Sequence, residues 1–121
     1  MTYASPQLEQ EIHAHVDTWR GLLRDPSSGP VPAAQGIAVE FAFQRAAQAE
    51  GLPHVRMEHD RLSVPPNACV WVPTELAPSA AIAQRLALAR CVVADGAWKE
   101  TLAQAGVPAL ILARPARNFR P

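Results

Sequence analysis

Polar residues follow three apolar segments of the sequence, and they are the first candidates for chemistry. Thr74 and Glu75 follow the first segment, Asp95 and Gly96 follow the second, and Arg114 follows the third. In a parallel α/β sheet the carboxyl ends of the strands lie along one edge, where loops meet the N-termini of helices. Arg114 and the free N–H groups of a helix beginning after Gly96 would bind a small anionic ligand at such an edge.

A structural role explains two of these residues without a ligand. Asp95 is placed to cap the helix that begins at Ala97, and Glu75 to cap or flank the next helix. A short polar side chain at this position accepts a hydrogen bond from a free helical N–H group, which makes capping its commoner use. The chain has neither a GxGxxG nor a GxxxxGK[ST] phosphate loop, which argues against an ATPase or a dinucleotide-dependent enzyme.

The histidines do not form a metal site by spacing alone. His13 and His15 are two residues apart, about 200° around a helix, so their rings point to opposite sides. A second group crowds one predicted turn: His54, Glu58, His59 and Asp60. Two or three of its members could converge on a metal ion, but a solvated turn is the commoner structure for such residues. No GxSxG motif presents a serine nucleophile.

Both cysteines and two of the tryptophans lie in apolar patterns. Cys69 and Cys91 occupy the segments NACVWV and ARCVVAD, and no CxxC motif is present. We expect two free buried thiols rather than a disulfide or a redox pair. Trp71 and Trp98 are predicted to be core residues for the same reason.

The elements that must position these residues alternate between helical and strand patterns. In chain order they are a helix over 7–24, a linker over 25–32, a helix over 33–50, a β-hairpin of 54–57 and 61–64, a strand over 68–72, a helix over 78–90, a strand over 91–95, a helix over 96–105, a strand over 109–113 and an exposed tail over 114–121. Ala-rich helix 33–50 carries Val39, Phe41 and Phe43 around most of its circumference, which predicts burial on more than one side.

This order predicts one α/β domain over 1–121, with a core at 33–113. The hairpin makes the sheet mixed, and helices flank it. The last three strands are joined through helices, so they should be parallel neighbours with right-handed crossovers.

The order αβββαβ, followed by a further αβ unit, resembles the core of restriction endonucleases of the PD-(D/E)XK class. The sequence is most similar to that of Mrr-type members, in which a helix opens with a Gly followed by a Glu and ends at a Gly. Gly36, Glu40 and Gly51 match that helix, and LALARCVVADGAWKETLAQAGVPALIL at 86–112 matches the later part. The resemblance covers about two thirds of the chain.

The resemblance implies a metal site that this sequence retains only in part. Such nucleases hold Mg²⁺ with an Asp on the second strand and with the Glu of an E/Q-x-K motif on the third, whose Lys activates water. The candidate catalytic residues here are Glu40, Asp60 and Glu75, but the third strand, 68–72, has no Glu, Gln or Lys. Lys99, the only lysine, lies on a different element. We therefore expect that the chain does not hydrolyse nucleic acid. Mg²⁺ is expected as a cofactor only if that metal site is intact.

Composition limits the partners. The chain has 11 Lys+Arg, 11 Asp+Glu and 49% hydrophobic residues, which excludes a disordered chain. Zero net charge predicts weak, salt-sensitive nucleic-acid binding, because phosphate neutralisation supplies most of that affinity. The one basic cluster, in the tail, contains Arg114, Arg117 and Arg120, and it is expected to aid solubility. Without a leader or an apolar run of about 18 residues, a cytoplasmic location is expected. Twelve prolines and many alanines, with hardly any Asn, suggest a GC-rich bacterial genome.

Three functions remain open. The first is a nuclease-fold domain without a metal site, acting as a nucleic-acid-associated or protein-binding module. The second is a small-ligand-binding or transferase-type domain that uses Thr74, Asp95, Gly96 and Arg114. The third is a plain interaction protein that docks through the first helix or associates with itself as a homo-oligomer.

Overall fold

The fold is built from short strands and from helices that differ widely in length. The structure, a computed structural model, describes residues 6–27, 31, 37–57 and 64–112. Its elements are α1 (Pro6–Arg24), α2 (Ile37–Ala49), β1 (His54–Arg56), β2 (Cys69–Trp71), α3 (Ala80–Arg85), β3 (Cys91–Ala94), a 3-10 turn (Gly96–Trp98) that continues into α4 (Lys99–Gln104), and β4 (Ala109–Ile111).

The sheet has the strand order β1-β2-β3-β4, and all its described pairings are parallel. The α/β fold with a sheet flanked by helices is confirmed, as is the parallel arrangement of the last three strands. The second arm of the predicted hairpin, which would make the sheet mixed, lies outside the described residues apart from Val64. That pairing therefore stays a prediction.

Helices cover both faces of the sheet, giving three layers. Side chains alternate between the two faces along each strand. One face packs against α1 and α2, and its strand residues are Cys69, Trp71, Cys91, Val93, Leu110 and Leu112. The other packs against α3 and α4 through Val70, Val72, Val92, Ala94, Ile82, Leu86, Trp98 and Leu102. Parallel strands need cover on both faces, which explains why β2 and β3 are apolar at every position.

Three aromatic rings join α1, α2 and the sheet. The Trp19 ring lies 5.8 Å from that of Phe43 and 6.1 Å from that of Trp71, in edge-on arrangements. The ring centroids of Phe43 and Trp71 are 5.4 Å apart. Edge-on pairs of this kind add about 0.5–1.5 kcal/mol beyond the burial of their area. Trp71 is 8% exposed, which confirms its expected place in the core.

Charged contacts fix α1 at both ends. Near its start, the Glu9 carboxylate accepts hydrogen bonds of 3.0 and 2.9 Å from the Arg45 guanidinium on α2. Near its end, Arg20 and Arg24 both bind the Glu50 carboxylate, at 2.8 and 2.7 Å. None of the helices in the described part of the chain is long and apolar enough to cross a membrane.

A cation also completes the end of α1. The Arg90 guanidinium donates hydrogen bonds to the Leu23 and Arg24 carbonyl oxygens, at 2.8 and 3.4 Å. The last carbonyls of a helix lack partners within the helix and carry partial negative charge. A residue next to β3 thus ties α1 to the sheet.

The third helix is shorter than its sequence pattern suggests. The apolar stripe predicts a helix over 78–90, yet α3 spans Ala80–Arg85. Its start is set by Ser79, whose hydroxyl accepts a hydrogen bond of 3.3 Å from the Ile82 N–H. Its end is set by the sheet, because the Arg90 N–H donates to the Ala68 carbonyl and the chain must already be extended there.

Replacing Trp19 tests the contact between α1 and the sheet. We expect Trp19→Ala to lower the free energy of unfolding by about 3–5 kcal/mol, because a fully buried aromatic ring is replaced by a cavity. Thr18→Ala, at the exposed neighbouring position, should change it by less than about 0.5 kcal/mol. Urea denaturation gives both values, and equal losses would contradict this packing.

The Glu50 contacts predict a specific acid sensitivity. The Arg24 and Arg20 guanidiniums lower the pKa of Glu50 from 4.5 to about 2. A carboxylate whose pKa falls on folding stabilises the protein above its unfolded pKa, and that contribution is lost as the pH falls from 4.5 towards 2. Glu50→Gln should therefore reduce stability at neutral pH and flatten its dependence on pH in that window.

The double variant Arg20→Gln/Arg24→Gln is the control for this assignment. It removes both guanidiniums, so it should flatten the same window when unfolding is followed from neutral to acidic pH. A double variant that keeps the full wild-type slope would show that other groups cause the acid sensitivity.

Candidate functional site

Two of the predicted ligand-binding pairs lie at the same edge of the sheet. Thr74 and Glu75 are exposed in the loop after β2, and Asp95 and Gly96 follow β3. Because β2 and β3 are parallel neighbours, both loops leave the sheet at its carboxyl edge. Arg114, the predicted anion donor, lies outside the described residues.

Asp95 itself caps the short helix that follows β3. Its Oδ1 accepts a hydrogen bond of 2.9 Å from the Ala97 N–H, and its carbonyl oxygen accepts one of 3.1 Å from the Trp98 N–H. These amides belong to the first turn, where an anion would bind. The carboxylate also places negative charge there, which disfavours an anionic ligand. The capping role is thus observed, and ligand binding at this edge stays a prediction.

Gly96 is exposed, and its conformation does not require glycine. Its φ lies outside the left-handed region, and a Cβ atom added there would have open space around it. The fold therefore does not require glycine at this position. Glycine would be required only for a ligand that approaches the backbone closely there.

Trp98 joins the two loops of this edge, a role that its apolar pattern does not reveal. Its indole is buried, as predicted, and Nε1 donates a hydrogen bond of 3.1 Å to the Leu76 carbonyl oxygen. A buried indole N–H is normally satisfied in this way. The contact fixes the loop that carries Thr74 and Glu75 against the start of α4.

Glu40, one of the predicted catalytic acids, is bound by a cation of the chain itself. Its Oε2 accepts a hydrogen bond of 2.8 Å from the Arg56 Nε at the end of β1. The Glu40 side chain is 19% exposed and that of Arg56 is 38% exposed. The guanidinium occupies one oxygen of the carboxylate and places a positive charge beside it, which opposes the binding of a magnesium ion there.

The other residues of the implied metal site do not complete it. Glu75 is exposed in its loop, and β2 supplies only the buried side chains of Cys69, Val70 and Trp71. Asp60 lies outside the described residues, as do Glu58 and His59 of the predicted turn. Among the residues that the structure describes, no group of three or more His, Cys, Asp or Glu could hold a metal ion. The described residues therefore do not fit a Mg²⁺ centre.

A concave surface between α1 and α2 presents an exposed phenyl ring, an exposed carboxylate and an exposed guanidinium. We call it the α1–α2 groove, and its volume is about 240 Å³. Its lining residues are Glu9, Ile12, Phe41, Gln44, Arg45 and Gln48. Phe41 is 37% exposed here, although the sequence pattern predicts burial around most of its helix. The periodicity of α2 is ambiguous because alanines surround the phenylalanines.

The Glu9–Arg45 ion pair lies at the surface of this groove. The two side chains are 42% and 43% exposed, and they are joined by two parallel hydrogen bonds. The Arg45 guanidinium lowers the pKa of Glu9, and the Glu9 carboxylate raises the pKa of Arg45. Both groups are therefore charged over the whole physiological pH range.

Arginines in the described part of the chain are used within the molecule. Arg20, Arg24, Arg45 and Arg56 bind carboxylates, and Arg90 binds helix carbonyls. An arginine held in this way loses an intramolecular partner when it turns to a phosphate group.

Comparisons of the chain with protein-family models, with curated proteins and with solved structures found no match to it.

Substitutions at two glycines and at Asp95 test the structural account of this edge. Gly96→Ala should leave the free energy of unfolding within about 0.5 kcal/mol of wild type. Gly51→Ala is the matched control, because Gly51 has φ +68° and alanine there should cost about 1–2 kcal/mol. Asp95→Ala should cost about 1 kcal/mol through the lost cap. Chemical denaturation measures all three, and a Gly96→Ala loss equal to that of Gly51→Ala would refute the account.

Proposed function

We propose that this chain is a non-catalytic protein-binding module, and that its partner at the α1–α2 groove is a second copy of itself. One observation carries the proposal: the groove presents an exposed phenyl ring beside an exposed carboxylate and an exposed guanidinium. Such a surface is complementary to itself. The predicted element order of the sequence resembles that of the nuclease core, but the self-complementary surface does not depend on this resemblance.

The use of the carboxylates supports a non-catalytic module. Glu40 is engaged by Arg56, and the strand that should supply the second acid and the lysine is apolar and buried. In metal-assisted hydrolysis the acids must be free to bind the cation that activates water. Here Glu40 stabilises the join between α2 and β1 instead.

The use of the arginines supports a protein partner over a nucleic acid. Binding to a phosphate backbone depends on cations that neutralise phosphates and release counterions. Arg20, Arg24, Arg56 and Arg90 are committed to carboxylates and carbonyls of the chain itself, and Arg45 is paired with Glu9 in the groove. The chain as a whole has no net charge.

Self-pairing follows from the requirements of a two-fold interface. In such an interface the same patch is used twice, so each group must face a complementary group of the other copy. Glu9 of one copy would face Arg45 of the second, and the Arg45 of the first would face Glu9 in return, with the two Phe41 rings between them. Zero net charge removes the long-range repulsion that keeps copies of a charged protein apart.

Charge reversal tests this pairing directly. Glu9→Arg places like charges opposite one another in a dimer, and Arg45→Glu does the same with the opposite sign. We expect each variant alone to associate at least tenfold more weakly than wild type, by roughly 1.4 kcal/mol or more. A mixture of the two should associate again, since both new contacts then join opposite charges. Sedimentation velocity over a range of concentrations measures all four samples.

The mixture also distinguishes a loss of association from a loss of folding. Mixing does not change the sequence of either variant, so a variant that fails to fold alone would not recover association in the mixture. Phe41→Asp is the further control and should weaken association with either charge arrangement. The proposal is wrong if wild type sediments as a monomer at every concentration, or if the mixture associates no better than its components. Tight binding of a DNA or RNA duplex in fluorescence anisotropy, with a steep loss on adding salt, would instead favour the nucleic-acid-associated function.

A further inference from the structure

Cys69 and Cys91 form a buried pair of thiols at the centre of the sheet. They are direct partners in the parallel pairing of β2 with β3, and both face the layer of α1 and α2. Both are free and fully buried, as the sequence predicts. They are the only cysteines of the chain.

Each of the two thiols affects the pKa of the other. A hydrogen bond from the Cys91 thiol lowers the pKa of Cys69, and donating that bond, together with burial, raises the pKa of Cys91. The positive charge of Arg90 acts on both thiols in the direction that favours the thiolate. The pair is thus two soft donor atoms on parallel side chains, with a cation beside them.

The spacing of the strands disfavours a disulfide. Neighbouring strands lie about 4.7–4.9 Å apart, and side chains of directly paired parallel residues leave the sheet in the same direction. Their Cβ atoms are therefore separated by about the same distance, whereas a disulfide brings its Cβ atoms to about 3.5–4.5 Å. A single bridging atom fits better, because it joins the two sulfur atoms without drawing the strands together.

We propose that Cys69 and Cys91 bind one soft monovalent metal ion of the Cu(I) and Ag(I) class between their sulfur atoms. Thiolates select soft ions, and the apolar surroundings offer no further ligand, which suits an ion satisfied by two donors. Both thiols lose their protons to solvent on binding, so the bound unit has one negative charge, which Arg90 offsets. Zinc needs four ligands and finds two here.

Silver(I) is the probe, because it neither oxidises thiols to disulfides in the titration nor needs a reductant. Folded wild type should bind one Ag(I) per chain and release two protons, with ultraviolet absorption from the silver–thiolate bonds. Cys69→Ala and Cys91→Ala should each weaken binding by roughly 100-fold or more, since losing even an outer partner of a ligand costs metal sites 10–100-fold. Met57→Leu is the matched control, because Met57 is a buried soft donor on the opposite face and its loss should change nothing.

Zn(II) offered under the same conditions should not bind to the pair. The proposal is overturned if folded wild type takes up no Ag(I), or if either cysteine variant binds it as tightly as wild type. X-ray absorption at the silver edge of the wild-type complex gives an answer that needs no variant to fold. Two sulfur neighbours are expected, and nitrogen or oxygen neighbours would refute the site.

Discussion

One apolar face of the sheet must be covered by α1 and α2, and this requirement determines how both helices pack. Four short parallel strands leave two apolar faces, and neither can meet water without a large loss of stability. α3 and α4 cover one face as a consequence of the chain connections between the strands. The other face depends on α1, which lies at the far end of a linker and docks through Trp19.

The distribution of charge follows from this docking. Holding α1 in place uses Glu9, Glu50 and Arg90, and joining α2 to β1 uses Glu40 with Arg56. Each exposed pair contributes modestly, since water screens it, but together they fix the helices in one register. Each of these ion pairs is neutral as a unit. The protein partner that we propose would be recognised by local charge complementarity, whereas phosphate binding would depend on summed positive charge.

The sequence predicts the elements well where apolar patterns are long or continuous. The pattern of Leu8, Ile12 and Trp19 marks α1, and the runs around Val70 and Val92 mark buried parallel strands. The cap at Asp95 is equally visible, because a short acid before a helix has one common use.

The sequence is less informative where a role depends on distant partners. Nothing near Glu40 in the chain indicates that Arg56 will bind it, and this contact gives a structural role to one of the acids that were predicted to be catalytic. The exposure of Phe41 likewise depends on where α1 crosses α2. The register that puts Cys69 beside Cys91 is fixed by the sheet as a whole. Local sequence patterns therefore predict helices, strands and caps. The residues of a site are brought together by contacts between segments that are distant in the sequence.

Glu40 binds Arg56 in this structure, and we infer that it serves the fold rather than a metal ion. Cleavage of plasmid DNA with added Mg²⁺ or Mn²⁺, by wild type and by Glu40→Gln and Asp60→Asn, tests it most directly. We predict that wild type cleaves no faster than either variant at any metal concentration. Metal-dependent cleavage by wild type that is lost in both variants would contradict this prediction, because Glu40 would then bind the ion in spite of its contact with Arg56.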